Sequence, residues 1–368
     1  MGEGLVISYS PLLGGAERIL LDLVPSVAPR AVLACPPGPL AREAAAAGLE
    51  VRELRPRRLE LRGSARDRLG APLRLAGQGL ELRPLIRSLG PRWIVAWSMR
   101  SALSAGLGRG RHGPPLLFQH NDFVPAGLAG RAVRDAARRA DVVSALSHAI
   151  ARDLDPQGRL GDRLLVSHPG VDLDRFAPQA DARNGRDVLL LGAIVDWKQP
   201  RLALETVARI PQSRLLIAGG PLGEAGEALL DRLRARAEQP DLTGRVEFLG
   251  RLEDPRPALG RAALLLHCAD REPFGMALVE ALASRRAVVA PAAGGPLEIV
   301  DQSCGRLYPP GDVEAAARAV TELLEDRPLL ARLASGARER AERTFGVDAA
   351  RERFREALDR LDRLRGSR

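Results

Sequence analysis

Glu272-Pro273-Phe274-Gly275-Met276-Ala277-Leu278-Val279-Glu280 sets two carboxylates eight positions apart around a Pro-x-Gly turn. The segment follows the apolar run ALLLHC (Ala263 to Cys268) and leads into the helix-forming ALVEALASRR, so it reads as strand, turn and helix start. Pro273 suits a first helical turn. Gly275 and Met276 would then present free N–H groups at the positive end of the helix dipole, where a phosphate binds. Eight helical positions rise about 12 Å, more than a glycosidase's carboxylate pair requires. That spacing suits an elongated ligand with hydroxyls at both ends and phosphate between them, the outline of a nucleotide sugar. It equally suits an exposed acidic pair flanking a helix.

Lys198, in L-G-A-I-V-D-W-K-Q-P, is the only lysine in a chain with 55 Lys and Arg residues. A lysine ammonium is a compact point charge that can approach a diphosphate where a planar guanidinium fits differently. Two further glycine pairs stand between a strand and a helix: Gly14-Gly15-Ala16-Glu17, and Gly294-Gly295-Pro296 with Glu298. Either could bring backbone close to a ligand or simply make a tight turn. His120 and Asp122, in Q-H-N-D at a strand end, could bond a substrate. His112, His148, His168 and His267 have no metal-ligand spacing and read as structural or loop residues, so no metal site is expected. A serine-hydrolase elbow, a P-loop and a full dinucleotide fingerprint are all missing from the sequence.

Short apolar runs alternating with Ala/Leu-rich helical stretches must position these groups, the pattern of βα units and parallel sheets. The clearest strands are LVISYS near the start, Trp93 to Ser98, Leu116 to His120 and Val142 to Ser147. A second set comprises Asp187 to Ala193, Arg214 to Gly220, Arg245 to Gly250, Ala263 to Cys268 and Ala287 to Pro291. The polar, aperiodic stretch from Ala177 to Asp187 is the expected linker between two domains. From Asp312 onward the chain reads as closing helices. Two such open sheets would form a ligand cleft.

Composition narrows the classes. With 45% hydrophobic and 27% charged residues, neither wholesale disorder nor a membrane-embedded body fits. The opening MGEGLVISYS lacks a basic region and a long apolar core, which predicts a cytoplasmic chain. Cys35, Cys268 and Cys304 suit reduced, buried thiols. Of the net charge of +9, the segment Arg52 to Arg92 carries +7, from 11 arginines against 4 acids. It contains no aromatic residue on which bases could stack, which argues against nucleic acid. It could face an anionic acceptor or the inner membrane surface, or form a solvated helix pair.

Together these residues resemble the family-4 retaining glycosyltransferases of the GT-B fold, along nearly the whole chain. The carriers are G-G-A-E, Q-H-N-D, H-P-G-V-D-L-D-R-F (His168 to Phe176), the Lys198 loop, E-P-F-G-M-A-L-V-E and G-G-P-L-E-I-V (Gly294 to Val300), in the family's order. The resemblance implies two Rossmann-like domains, an acceptor-binding one over residues 1–180 and a nucleotide-sugar-binding one over 181–345. A closing helix over 346–368 would cross back to the first. It also implies that Glu280 holds the donor ribose, Glu272 the transferred sugar and Lys198 the diphosphate. Phe274, Gly275 and Met276 would lie beside sugar and phosphate, and His120 near the transferred sugar. The implied reaction is metal-independent and cofactor-free transfer from a UDP- or GDP-type sugar to a hydroxyl of a glycan, glycolipid or secondary metabolite, with the anomeric configuration kept. The family's usual arginine after the loop glycine is replaced by Ala193, and nearby Arg201 is a candidate substitute. A sugar phosphorylase, a nucleotide-sugar epimerase and a non-catalytic binding protein on the same scaffold are the alternatives.

Overall fold

The computed structural model describes residues 4–57, 65–110, 112–178 and 185–366. Its chain divides into two compact units, one of residues 1–169 with 347–368, the other of residues 170–346.

In the first unit, β1 (Leu5–Ile7), α1 (Gly15–Val27), β2 (Val32–Cys35), α2 (Pro39–Ala46), β3 (Glu50–Glu53) and α3 (Ala65–Leu89) come first. They are followed by β4 (Ile94–Trp97), α4 (Met99–Arg109), β5 (Leu116–His120), α5 (Gly127–Arg139), β6 (Val142–Ala145), α6 (His148–Leu154) and β7 (Leu164–Val166). The strands pair in parallel in the order β3-β2-β1-β4-β5-β6-β7, with Leu5 opposite both Val32 and Ile94. Strands β1, β2, β4, β5 and β6 are buried at every residue. A parallel sheet covered by helices on both faces demands such continuous apolar runs.

The second unit repeats the plan with β8 (Asp187–Leu191), α7 (Pro200–Ala208), β9 (Arg214–Ala218), α8 (Gly223–Ala237), β10 (Val246–Gly250), α9 (Arg256–Arg261) and β11 (Leu264–Leu266). Then come α10 (Met276–Ala283), β12 (Ala287–Pro291), α11 (Pro296–Ile299), β13 (Gly305–Tyr308), α12 (Val313–Glu325) and α13 (Arg327–Thr344). Its parallel strand order is β10-β9-β8-β11-β12-β13. The order reverses direction on either side of β8, and ligands of such sheets bind at the strands' carboxyl ends near that point.

The last helix, α14 (Val347–Gly366), returns to the first unit. Phe354 packs edge-on against Trp97 at 6.0 Å. Arg351, Arg353 and Arg360 donate to the carbonyls of Asp22, His168 and Asp162 at 3.1, 3.0 and 2.7 Å.

Two expectations need correction. The division falls between Pro169 and Gly170 rather than near residue 180. Gly170 to Phe176 are built into the second unit, because Arg338 donates to the carbonyls of Leu173 and Ala283 at 3.1 and 2.8 Å and Val171 bonds the Phe345 carbonyl at 2.8 Å. Within the expected linker, residues 179–184 lie outside the described residues. Pro273 is not in the first helical turn, since α10 begins at Met276. Residues 58–64 of the segment Arg52 to Arg92 also lie outside the described residues; its described residues contribute part of β3 and one helix, α3. All three cysteines are free and buried.

Candidate active site

The second unit gathers its chemistry at the carboxyl ends of β8 and β11. After β8 the chain passes Gly192 and Ala193 and forms a 3-10 turn, Asp196–Lys198. Gln199 in the left-handed region then redirects it into Pro200 of α7. The neighbouring loop after β9 presses close: a Cβ on Gly219 would stand 1.7 Å from the Gly192 carbonyl oxygen, so only glycine fits there. This packing sends Lys198 back along Gly192. Its ammonium lies 4.6 Å from the centre of the Trp197 ring and donates to Glu272 Oε2 at 2.8 Å.

Glu272 is buried in the turn after β11. His267 Nε2 stands 3.2 Å from the same Oε2. Burial pushes the Glu272 carboxyl up, but His267 and the Lys198 ammonium more than offset that and hold it at about 2. The group is therefore an ionised acceptor, suited to hydroxyls.

The turn is braced from behind. Gly295 N–H donates to the Glu272 carbonyl at 2.9 Å, and a Cβ on Gly295 would meet the Phe274 carbonyl oxygen at 2.1 Å. One on Gly294 would stand 2.5 Å from the Glu272 carbonyl oxygen. These glycines thus support the Glu272 turn. Phe274 is also a brace: it is buried edge-on against Phe345 at 5.9 Å. Gly275 caps α10 close to Glu272 Cγ, 3.5 Å from where its Cβ would be. Among the described residues, the N–H groups of Met276 and Ala277 have no hydrogen-bond acceptor. They form an open helix start beside the carboxylate. Glu280 is half-buried further along α10.

Arg201 stands apart from this cluster. It is 78% exposed and faces Glu205 at 3.7 Å, one turn along α7, because that face of the helix points to solvent. Ala193 lines a recess of about 10 Å³ with Lys198, His267 and Cys268, room for about one water.

In the first unit, Gly14 and Gly15 are exposed at the start of α1. The Gly14 N–H is already bonded to Glu17 Oε2 at 3.1 Å, so it is not open to a phosphate. His120 is completely buried, edge-on to Phe118 at 5.2 Å, and neither ring nitrogen has a hydrogen-bond partner among the described residues. Burial, with Arg134 nearby, pushes it down to about 3, so the ring is neutral and enclosed rather than open to a substrate. The Asp122 carboxylate accepts the N–H of Phe123 at 2.7 Å. Sequence reasoning missed His267, whose position at the end of an apolar strand five residues before Glu272 was the available signal. It also missed Trp197, an aromatic in an otherwise polar loop that stays 47% exposed.

A protein-family model described as "Glycosyltransferase Family 4" matches residues 13–175, and one described as "Glycosyl transferases group 1" matches residues 174–340. Among curated relatives, a D-inositol 3-phosphate glycosyltransferase of Mycobacterium sp. (strain JLS) is 33% identical over 261 residues, covering 66% of this chain and 57% of the relative. Another, from Mycobacterium leprae (strain Br4923), is 36% identical over 194 residues, 48% of this chain and 42% of the relative. The chain thus spans between 42% and 57% of the length of these curated relatives. Among solved structures, HepE from Anabaena in complex with UDP and glucose superposes with a TM-score of 0.84 at 22% identity, covering 98% of this chain and 100% of that one. Sucrose-phosphate synthase from Thermosynechococcus elongatus gives 0.83 at 20% identity, covering 99% and 100%. The fold is GT-B, two Rossmann-like domains, and with two adjoining family matches running from residue 13 to residue 340 the chain belongs to the family-4, group 1 glycosyltransferases.

Proposed function

We propose that this chain transfers a glycosyl group from a nucleotide sugar to an acceptor hydroxyl, with the anomeric configuration kept. The observation that carries this reading is the ion pair between half-buried Lys198 and buried Glu272 beside the open start of α10. An ionised carboxylate accepts hydroxyls of the transferred sugar. The ammonium and the free N–H groups meet the diphosphate, and Glu280 takes the ribose. In the transfer, the bond from the anomeric carbon to the phosphate oxygen breaks and one to the acceptor oxygen forms on the same face. The acceptor's proton passes to the departing diphosphate. Rate enhancement comes from positioning and from neutralising the leaving charge, without a metal ion in the reading. Activity that survives a chelator supports that last point.

Names of similar proteins guide the first assays. UDP and glucose, present in the HepE complex, make UDP-glucose the first donor, and the D-inositol 3-phosphate glycosyltransferases make a phosphorylated polyol the first acceptor. We also propose a peripheral membrane contact through α3, where Leu73 and Leu80 are 80% and 60% exposed and Arg83 and Arg87 are exposed beyond them. No helix among the described residues is long and apolar enough to cross a membrane.

The donor test is a thermal-shift screen of UDP, GDP, dTDP and ADP with their common sugars. A shift for one base that vanishes in Glu280→Ala supports the reading. Silence across all of them favours a non-catalytic scaffold, and turnover with inorganic phosphate or water as acceptor favours a phosphorylase or epimerase.

A further inference from the structure

Glu272 Oε2 accepts from Lys198 Nζ at 2.8 Å, and His267 Nε2 stands 3.2 Å from the same oxygen without a hydrogen-bond partner of its own, while Oε1 has no partner among the described residues. The proposed function gives Lys198 a second duty, on the diphosphate. An ammonium has three N–H donors but one position, and each step toward the phosphate loosens its bond to Glu272. A buried carboxylate left without a partner is strongly disfavoured and takes up a proton. Something else must hold Glu272 when the donor arrives.

His267 is built to stay. It is 3% exposed, its N–H donates to the Val289 carbonyl at 2.8 Å, and its own carbonyl accepts the Tyr308 hydroxyl at 2.8 Å. These bonds pin its main chain to β12 and to the end of β13. Trp197, by contrast, sits on the exposed Lys198 turn and contributes only a ring face.

We propose that His267 is the positioning residue of Glu272: poised 3.2 Å away, its Nε2–H takes over Oε2 when Lys198 turns to the diphosphate, leaving Oε1 for the hydroxyls of the transferred sugar. The inference rests on the donor reading above and assigns His267 no contact with the donor. Its signature is a defect that begins with the diphosphate, because any diphosphate draws Lys198 away from Glu272, whereas the nucleoside alone should not sense His267.

The test compares Kd for the nucleoside with Kd for the nucleoside diphosphate picked out by the thermal screen and for its sugar adduct. In His267→Leu the nucleoside should bind within about twofold of wild type, while affinity for the diphosphate and for its sugar adduct falls about tenfold or more, as does kcat/KM. His267→Gln, which keeps an N–H donor, should restore most of that loss. A Leu variant with wild-type affinity for the diphosphate and wild-type turnover overturns the inference and leaves the donor reading standing. A wild-type chain that binds none of the nucleotides overturns the donor reading, and this inference with it. If His267→Leu does not fold, the imidazole nitrogen NMR signals of the wild type decide. The Nε2 signal should move to that of a bonded N–H as the sugar nucleotide is added. A signal that stays at the free-imidazole position overturns the inference.

Discussion

Lys198 Nζ lies 2.8 Å from Glu272 Oε2, across 74 residues of sequence, and the two groups come from adjacent strand ends of one sheet. The chain's single ammonium therefore sits beside an ionised carboxylate and a helix start. Replacing it tests the charge arrangement directly. Lys198→Ala should lower turnover by about a hundredfold or more, in line with loss of a group that stabilises a leaving charge. A near-wild-type rate would sink the assignment of Lys198 to the diphosphate.

The Glu272 carboxyl sits at about 2 in the folded chain against an ordinary 4.5. The folded state therefore binds this proton less tightly than the unfolded one. The associated stability is complete above about pH 4.5 and is lost as pH falls toward 2, about 3 kcal/mol in all. Urea unfolding at pH 5, 4 and 3 should show the wild type losing more stability than Glu272→Gln; parallel curves would refute it.

His120 acts at milder acidity. Its folded value of about 3 lies below the ordinary 6.5, so protonation favours the unfolded chain. Stability present above about pH 6.5 should drain by about 1.4 kcal/mol per pH unit as pH falls toward 3. Thermal melts of His120→Gln between pH 7 and 5 should be flatter than those of the wild type.

Two glycines should respond in opposite ways to one methyl group. Gly295→Ala drives a Cβ to within 2.1 Å of the Phe274 carbonyl oxygen and should cost about 2–3 kcal/mol and displace Glu272. Gly15→Ala meets nothing within 4 Å and should leave Tm and turnover unchanged. Melting curves and steady-state rates of both variants check this.

For the membrane contact through α3, binding to phosphatidylserine vesicles should fall steeply between 50 and 500 mM salt (about a Debye length shorter than 5 Å at the upper end). It should also weaken in Leu73→Ser/Leu80→Ser. Binding that ignores both changes would remove α3 from consideration.

The fold was legible wherever a strand is buried on both faces, because β1, β4, β5 and β6 are unbroken apolar runs. The edge strand β3, Glu50–Glu53, carries three exposed positions out of four and has no such signal. At the site, residue types that accept or carry charge announced Glu272 and Lys198. What each glycine pair does was not legible. Gly294 and Gly295 look like a ligand cradle by composition, yet their neighbour is the backbone of another loop. His267 was hidden for a related reason: its role depends on the three-dimensional approach of its ring to Glu272, and a histidine ending a strand looks the same with or without one.

The second unit is held at both of its ends by one junction, where Val171 N–H meets the Phe345 carbonyl and Val171 bridges Gly346. Its residues form one continuous stretch, whereas the first unit is interrupted and resumes only at Val347. During synthesis, the second unit can therefore complete its sheet while the first still lacks the helix that carries Phe354 to Trp97. The first unit is thus begun before the second and completed after it.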